Sequence, residues 1–524
     1  MTTNNALRNP SVRLTPLAAC LALALAAGPI PATATASGYH RHHPNVHPSP
    51  WVQNQAHPTL AQRSQKMQEI ERAFRAAHAH VAPVPGHIAA TIQVTNCADS
   101  GAGSFRAAVT AAASGDTVSM SSLACSTITL TTGAISTGID DLTIVGPGQT
   151  ALTIDASYSD RAIAHFGYGT LDISGVTVAN GYYYGYTNGL GGCIVTNGSI
   201  TMSQSTVTNC EVTSYNAAFG GGISAYAGGT ISDSTISNNI QSYGYGYSSG
   251  GGVSTQSGTL TVTNSTVSGN TTSGRGNGTQ GGGIYNFGGD TNVIGSTVSG
   301  NYSGGVGGGV SGWFGTLTVT NSTVSGNYAY AAGGGVSSLL GSMALSNNTI
   351  SSNSAGYYGG GVYAKADVGG STFNSTIIFG NTAPTGNDTN AYPPATATGA
   401  NNLIGSSDGT FTAPGDTISS DPLLQALANN GGPTMTQMLG AGSPAIDVGN
   451  NAAGLTFDQR GTGFPRVNGA APDIGAFERA AAVAGPPRIP VPALSTWALG
   501  LMAGLLGLLG WRREIIAITT RKHR

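Results

Sequence analysis

The chain has 524 residues, enough for several ordinary domains, but 80 of them are glycine and only 8% are charged. This composition departs from that of average globular proteins and indicates a repetitive architecture. The formal net charge is −2, and the basic residues cluster at the two ends of the chain. A basic face that could hold a nucleic-acid backbone is therefore missing, and we expect no nucleic-acid partner.

The N-terminus has the pattern of an export signal. Arg8 and Arg13 precede an apolar stretch from Leu17 to Ala27, and small residues follow up to Ala36. This three-part pattern predicts a signal peptide over residues 1–36, cleaved near Ala36. Residues 37–90 are rich in His and Pro and are predicted to form a solvated spacer with one short helix, with metal binding by the histidines as the alternative.

Four cysteines remain after the predicted cleavage, in a compartment where disulfides persist. They are Cys97, Cys125, Cys193 and Cys210. Four cysteines allow three connectivities, and proximity along the chain favours Cys97 with Cys125 and Cys193 with Cys210. Because no pair has the Cys-x-x-Cys spacing, we predict neither a metal site nor a cofactor.

The middle of the chain contains an explicit repeat of short strands. A Gly-Gly-Gly-Ile/Val mark begins at Gly220, Gly250, Gly281, Gly307, Gly333 and Gly359, with Gly191-Gly192-Cys193-Ile194 as a variant before them. A second mark, Ser-Thr-Val/Ile-Ser-Gly-Asn or a close variant, begins at Ser205, Ser234, Ser265, Ser296, Ser322, Asn348 and Ser375. Periods of 26 to 31 residues without an intervening helical segment predict a β-solenoid with the glycine marks superposed along one edge.

Asparagines recur in register inside this repeat. One set is Asn264, Asn321, Asn347 and Asn374, and the other is Asn270, Asn301, Asn327, Asn353 and Asn381. Amides at the same position in successive coils can bond one another, so both sets are predicted to form structural ladders.

The fold is therefore predicted to be all-β, a right-handed parallel β-helix over residues 91–395 of the pectin-lyase type. A short helix capped by Ser104 is predicted to cover its N-terminal end. The segment from Cys97 to Ala108 resembles the CSLREA-type segment found ahead of bacterial β-helices.

Residues 396–478 contain Asp421-Pro422-Leu423-Leu424, Gly442-Ser443-Pro444-Ala445-Ile446-Asp447 and Asp473-Ile474-Gly475-Ala476-Phe477-Glu478. This series resembles the choice-of-anchor Q module, which ends many surface β-helices just before a sorting signal. From residue chemistry alone, we expect a cap that ends the solenoid, with its charged residues free to pair: Asp447, Asp458, Arg460, Arg466 and Asp473.

A Pro-rich linker over residues 479–492 leads to an apolar stretch from Ala493 to Trp511, long enough for a transmembrane helix and followed by a basic tail to residue 524. The segment resembles the IPTL-type sorting signals that exosortases process, on Pro492, Ala493, Leu494, Ser495, Trp497, Arg512 and Arg513. The resemblance implies transient membrane anchoring and delivery to the cell surface or extracellular matrix of a Gram-negative bacterium. The alternative is a permanent single-pass anchor.

The sequence offers few groups for catalysis. Between Leu171 and Asn381 the charged residues are Asp172, Glu211, Asp233, Arg275, Asp290, Lys365 and Asp367, at different positions in their coils. Pectin-lyase-type enzymes use several carboxylates with a basic residue, which these spacings do not bring together. We therefore expect no enzyme, with a polysaccharide lyase or hydrolase as the alternative.

Length varies in one segment of each coil, between the second mark and the next glycines. Because variable segments on a rigid solenoid often carry recognition, we predict a binding edge for an extracellular polysaccharide or a surface protein. The candidate ligand-binding residues are Tyr184, Tyr186, Tyr215, Tyr243, Tyr245, Tyr247, Tyr302, Tyr328, Tyr330, Tyr357 and Tyr358. Tyrosine suits stacking on sugars or gripping a protein, and the alternative is that the rings pack on neighbouring coils.

Overall fold

The computed structural model describes residues 87–185, 188–215, 217–242, 247–273, 278–365, 370–480 and 500–508. The predicted signal peptide and the spacer up to residue 86 lie outside the described residues. The chain divides into two compact units, residues 1–479 and residues 480–524.

The first unit is a right-handed parallel β-helix, which confirms the predicted fold class. Three long sheets form the stack. Sheet A contains β1 (Thr91–Gln93), β2 (Asp116–Ser119), β5 (Leu142–Val145), β8 (Thr170–Ser174), β13 (Ser199–Ser203), β18 (Gly229–Ser232), β23 (Leu260–Thr263), β28 (Thr291–Ile294), β32 (Thr316–Thr320), β36 (Ser342–Ser346), β40 (Thr372–Asn374) and β44 (Thr398–Ala400). Sheet B contains β3 (Thr127–Thr129), β6 (Thr153–Asp155), β9 (Thr177–Ala179), β14 (Thr206–Thr208), β19 (Thr235–Ser237), β24 (Thr266–Ser268), β29 (Thr297–Ser299), β33 (Thr323–Ser325), β37 (Thr349–Ser351), β41 (Ile377–Phe379) and β45 (Leu403–Ile404). Sheet C contains β4 (Ile135–Thr137), β7 (Ile163–His165), β12 (Ile194–Thr196), β17 (Ile223–Ala225), β22 (Val253–Thr255), β27 (Ile284–Asn286), β31 (Val310–Trp313), β35 (Val336–Leu339), β39 (Val362–Lys365) and β42 (Thr389–Tyr392).

Two shorter sheets complete the coils. Sheet D contains β10 (Tyr182–Gly185), β15 (Glu211–Ser214), β20 (Ile240–Ser242), β25 (Thr271–Thr272), β30 (Tyr302–Ser303), β34 (Tyr328–Ala329) and β38 (Ser354–Ala355). Sheet E contains β11 (Asn188–Leu190), β16 (Ala217–Phe219), β21 (Tyr247–Ser249) and β26 (Gly278–Gln280). A last pair, β43 (Ala395–Thr396) with β46 (Phe411–Thr412), lies near the C-terminal end of the stack.

Each coil passes through the sheets in the order C, A, B, D, E. Alternation within the strands turns aliphatic side chains inward, as Leu260 and Val262 show in β23, where both are buried while the threonines between and after them are partly exposed. The inward residues of successive coils form one continuous apolar core, from Val94 to Phe411. The stack therefore extends beyond residue 395, where we expected it to end.

The glycine marks stack on one another at the corner before sheet C, which confirms their predicted superposition. The amide of Gly221 donates to the carbonyl of Gly250, and that of Gly251 to the carbonyl of Gly281, at 2.9 and 3.1 Å. Gly250 has a φ of +67°, a backbone conformation that residues other than glycine rarely adopt. A Cβ at Gly251 would lie 2.4 Å from the Gly282 carbonyl oxygen, so the second glycine is needed for close stacking.

A buried amide ladder runs along the inside of the stack. In each coil the Asn Nδ2 donates to the Asn Oδ1 of the next coil at 2.9–3.0 Å, through Asn239, Asn270, Asn301, Asn327, Asn353 and Asn381. From Asn270 to Asn381 the same Oδ1 also accepts the backbone N–H of the preceding coil, so each of these amide oxygens has two donors. Asp388 ends the ladder by accepting from Asn381. The predicted ladder through Asn270 is confirmed and starts one coil earlier.

The second predicted ladder is wrong. Asn264, Asn321 and Asn347 occupy a corner between sheets A and B with φ near +50°, a conformation that asparagine tolerates better than most residues. Their amides do not bond one another. Asn321 donates to the Phe457 carbonyl and Asn347 to the Asn450 carbonyl. The recurrence of these residues therefore reflects a backbone requirement at the corner.

Two disulfides are present, Cys97–Cys125 and Cys193–Cys210, the pairings that proximity along the chain favoured. The second one replaces a repeated contact. In later coils the third glycine of the mark lies against the ladder amide, as Gly222 does against Asn239. Cys193 stands at that glycine position and Cys210 at that asparagine position, and the Cys210 amide still donates to Asn239 Oδ1 at 3.0 Å. The disulfide thus occupies, in the coil before Asn239, the position that the amide ladder occupies in the later coils.

The N-terminal end of the stack carries the predicted helix, α1 (Phe105–Ala111), whose N-cap Ser104 accepts a hydrogen bond from the Ala107 amide. Phe105 and Val109 are buried in the main core. The helix therefore adds its apolar face to the first coils.

Residues 419–479 run back along the side of the β-helix, whereas we expected the whole of 396–478 to cap its end. Gln459 Nε2 donates to Thr297 Oγ1 at 3.0 Å, and Thr323 Oγ1 donates to Gln459 Oε1 at 2.6 Å. The Ala476 amide donates to Thr349 Oγ1 at 3.1 Å. These threonines are outward residues of β29, β33 and β37, so the segment covers the C-terminal half of sheet B.

Of the charged residues expected to pair in this segment, Arg460 pairs with Asp458, whereas Arg466 pairs with Glu478, which the expectation did not include. Arg460 binds Asp458 at 2.6 Å, and Arg466 binds Glu478 at 2.8 Å with both side chains almost fully buried. The Asp447 amide donates to Asp473 Oδ1. Removing one partner of a buried pair is costly, so these contacts fix the shape of the segment.

In the second unit the structure describes a helix over residues 500–508. Among the described residues no helix is both long and apolar enough to cross a membrane. The transmembrane helix predicted from Ala493 to Trp511 lies only partly among the described residues and stays a prediction. Pro492, Ala493, Leu494, Ser495, Trp497, Arg512 and Arg513 lie outside the described residues.

Candidate binding edge

The segments of variable length are strands of sheets D and E and line one edge of the β-helix. In the longer coils a strand of sheet D runs outward and a strand of sheet E returns, as β15 and β16 do. In the shorter coils sheet E is reduced to single bridges, such as that between Val306 and Ala332. The segments therefore align along one edge, as predicted, but with regular pairing in place of loops.

One outward column of sheet D carries a tyrosine at its N-terminal end and two more near its C-terminal end. From coil to coil the register aligns Tyr182, Glu211, Ile240, Thr271, Tyr302, Tyr328 and Ser354. Four steps of about 4.8 Å separate Tyr182 from Tyr302, so these two residues are about 19 Å apart along the column. Between these two tyrosines the column carries Glu211, Ile240 and Thr271.

The C-terminal group forms a continuous aromatic surface, which we call the tyrosine patch: Tyr302, Tyr328, Tyr330, Tyr357 and Tyr358. The rings of Tyr302 and Tyr328 stack, with centroids 5.3 Å apart and planes 14° from parallel. Tyr330 meets Tyr357 edge to face at 5.8 Å, and Tyr357 contacts Tyr358 at 6.4 Å. Tyr302 and Tyr330 are the exposed members, at 38% and 52% of their full surface.

Two phenols of the patch, those of Tyr328 and Tyr357, hold their protons more tightly than a free tyrosine. A hydrogen bond with Tyr330, together with burial, raises the pKa of Tyr357 to about 12. Burial, together with the neighbouring Tyr302 and Tyr330, also raises the pKa of Tyr328. The patch presents flat rings with hydroxyl groups.

Among the described residues, a further group of tyrosines lies nearer the N-terminal end, and one of its rings contacts a cation. Tyr184 meets Tyr215 edge to face at 6.2 Å, and Tyr215 is 61% exposed. The Arg161 guanidinium carbon lies 3.1 Å from the Tyr183 ring centroid, while its Nε donates to the Leu190 carbonyl. This contact holds Tyr183 against the stack. Tyr186, Tyr243 and Tyr245 lie outside the described residues, as does the side chain of Tyr247.

The candidate catalytic groups fall in separate places. Asp172 lies in sheet A, Glu211 in sheet D and Lys365 at the end of β39 in sheet C. Arg275 and Asp367 lie outside the described residues. Glu211 accepts hydrogen bonds from Thr213 and Ser242. Within the described ranges no three His, Cys, Asp or Glu side chains could together hold a metal ion.

His165, the histidine inside the folded body, is buried in β7. Its Nδ1 lies 2.8 Å from Thr196 Oγ1, and burial lowers the pKa of the imidazole. A neutral, fully buried ring of this kind belongs to the packing of the coil.

Sequence reasoning missed a second aromatic cluster, at the corner between sheets C and A. The ring of Phe287 lies 5.9 Å from Trp313 and 5.8 Å from Phe314. All three side chains are partly buried. These residues lie in the segment of nearly constant length, so length variation gave no signal for them.

Comparison with known proteins identifies the C-terminal segment. Residues 489–514 match the family model of the IPTL-CTERM motif. This sorting motif is processed by exosortase-type enzymes and marks the chain as an exported protein anchored at the cell surface.

The crystal structure of pectate lyase Pel9A is similar over 75% of this chain and 97% of that one, at 16% identity and a TM-score of 0.37. No curated protein matches the chain. The resemblances to the CSLREA-type segment and to the choice-of-anchor Q module stay predictions.

Proposed function

We propose that this chain is a non-catalytic adhesin or matrix component of a Gram-negative cell surface. The β-helix is a rigid spacer, and the tyrosine patch binds glycan or a partner surface. An exosortase-type enzyme processes the C-terminal signal, as the IPTL-CTERM motif supports.

The observation that carries the proposal is the tyrosine patch. Two of its rings are exposed and the others support them, so it offers a preformed surface with little rotamer freedom left to lose on binding. Aromatic rings bury a large area and each phenol supplies a hydrogen bond, a combination common at recognition sites. The separation of Asp172, Glu211 and Lys365 into different sheets disfavours the alternative of a polysaccharide-active enzyme.

Replacing Tyr302 and Tyr330 by Ser is expected to weaken attachment at least about tenfold, since aromatic contacts are worth about 0.5–1.5 kcal/mol each beyond their buried area. The measurement is binding of the full chain to a glycan array and of displaying cells to a surface. The matched control is Tyr168→Ser, which removes a tyrosine of similar exposure, 45%, from the corner between sheets C and A.

Two results would contradict the proposal. Unchanged attachment of the Tyr302→Ser, Tyr330→Ser variant with a large fall in melting temperature would show that the rings serve packing. Release of oligosaccharides from a polymer in a parallel depolymerisation assay would support the enzyme instead.

A further inference from the structure

The outward face of sheet A is an in-register array of small side chains. Seven consecutive strands, from β13 to β40, each place two residues on it: Thr201 and Ser203, Thr230 and Ser232, Thr261 and Thr263, Asn292 and Ile294, Thr318 and Thr320, Ala344 and Ser346, Thr372 and Asn374. Ten of these fourteen carry a hydroxyl group. The pairing register is unbroken, so the two columns continue along the whole face.

The array repeats in two directions. Neighbouring strands lie about 4.8 Å apart, and residues two apart along a strand are separated by about 6.6 Å. Threonine is branched at Cβ and stiff at χ1, so its hydroxyl and methyl groups are held in place before any partner arrives. Such an array loses little side-chain entropy when it binds.

The same kind of array on sheet B already acts as a docking surface within this chain. Thr297, Thr323 and Thr349 are buried where residues 419–479 cover β29, β33 and β37, and Gln459 bonds to two of them. On sheet A the corresponding side chains keep partial exposure in every strand from β13 to β36, and Thr230 is exposed. Sheet A is the neighbouring face of the same stack, without that cover among the described residues.

The chemistry of the face restricts what it binds. Neither column carries a charged side chain from β13 to β40, which disfavours charged polymers. Neither column contains an aromatic residue, so the face has no ring on which a sugar could stack. Each hydroxyl contact is weak, and a partner gains affinity only by engaging many contacts at once. A neutral solid whose hydrogen-bonding groups repeat in two dimensions satisfies all three conditions.

We propose that sheet A is an ice-binding face. The hydroxyl groups donate to and accept from the oxygen lattice of the crystal surface, while the threonine methyl groups exclude liquid water between them. Asn292 keeps a polar group in the array, whereas Ile294 and Ala344 interrupt it. This function is independent of the tyrosine patch, which lies on sheet D and the adjoining edge.

The test is partition of the full chain, purified in detergent, into slowly growing ice, with micelles alone as the blank. The wild type is expected to enter the ice and to change the shape of growing crystals. The double variant Thr261→Tyr, Thr318→Tyr places bulky rings on the face and should fall to the level of an unrelated protein frozen alongside.

The matched control is Thr266→Tyr, an outward threonine of sheet B in the same coil as Thr261, whose partition should equal that of the wild type. Melting temperatures of the three proteins show that each is folded. The proposal is overturned if the wild type stays in the liquid, if the double variant partitions like the wild type, or if the face retains crystalline cellulose and leaves ice unaffected.

Discussion

Replacing Asn327 by Ala is expected to lower the free energy of unfolding by about 3–5 kcal/mol, because buried donors and acceptors that lose their partners cost about 1–3 kcal/mol each. Asn327 Oδ1 accepts from both the backbone amide and the Nδ2 of Asn301. Its own Nδ2 donates to Asn353 Oδ1 and to the Val298 carbonyl. Alanine leaves both Asn301 donors unsatisfied inside a dry core.

The matched control is Asn292→Ala, which removes an asparagine from the partly exposed face of sheet A. Its Nδ2 makes one contact, with Thr261 Oγ1 at 3.3 Å, so a change within about 0.5 kcal/mol is expected. The measurement is urea denaturation of the full chain, with hydrogen exchange of the neighbouring coils to locate the opening. Equal stability of the two variants would show that the ladder is dispensable.

Replacing Cys193 and Cys210 by Ala is expected to cost about 3 kcal/mol, the value for opening a loop of this size, here a sequence separation of 17. The variant Cys193→Gly, Cys210→Asn restores the glycine and asparagine of the other coils. Its new amide can donate to Asn239 Oδ1, so this variant should recover about 1–2 kcal/mol relative to the double alanine.

A third variant, Cys193→Ala with Cys210→Asn, tests whether the new asparagine needs a glycine beside it. A Cβ at the equivalent Gly222 would lie 3.0 Å from Asn239 Cγ, which is tighter than most contacts, so alanine beside asparagine should lose the recovery. Thermal unfolding of the three variants under non-reducing conditions checks the order. If the glycine and asparagine pair is no better than the double alanine, the disulfide does not substitute for a rung of the ladder.

The coil architecture was predictable because each coil repeats the same local chemistry. Glycine at a positive φ marks the corner, as at Gly250, and an aliphatic residue turned inward follows it. The amide ladder was also predictable, because a buried position that is always asparagine needs a partner of its own kind. The corner asparagines misled us since the same residue type also suits a left-handed turn.

Two features were beyond sequence reasoning. The path of residues 419–479 depends on contacts such as Gln459 with Thr297, more than 160 positions apart, and nothing local in either segment indicates them. The strands of sheet D, such as β25, are short and exist because the preceding coil supplies their partner. The tyrosines could be assigned to one edge from segment length, but the alignment of Tyr182, Tyr302 and Tyr328 in one column follows from the register.

The most direct test of the account is the mass of the protein recovered from the surface of cells that express the full gene and a working exosortase. Processing at the IPTL-CTERM motif predicts a mature chain without the segment from Trp497 to Arg524. Recovery of the intact C-terminus in the surface fraction would contradict this account and favour a permanent anchor.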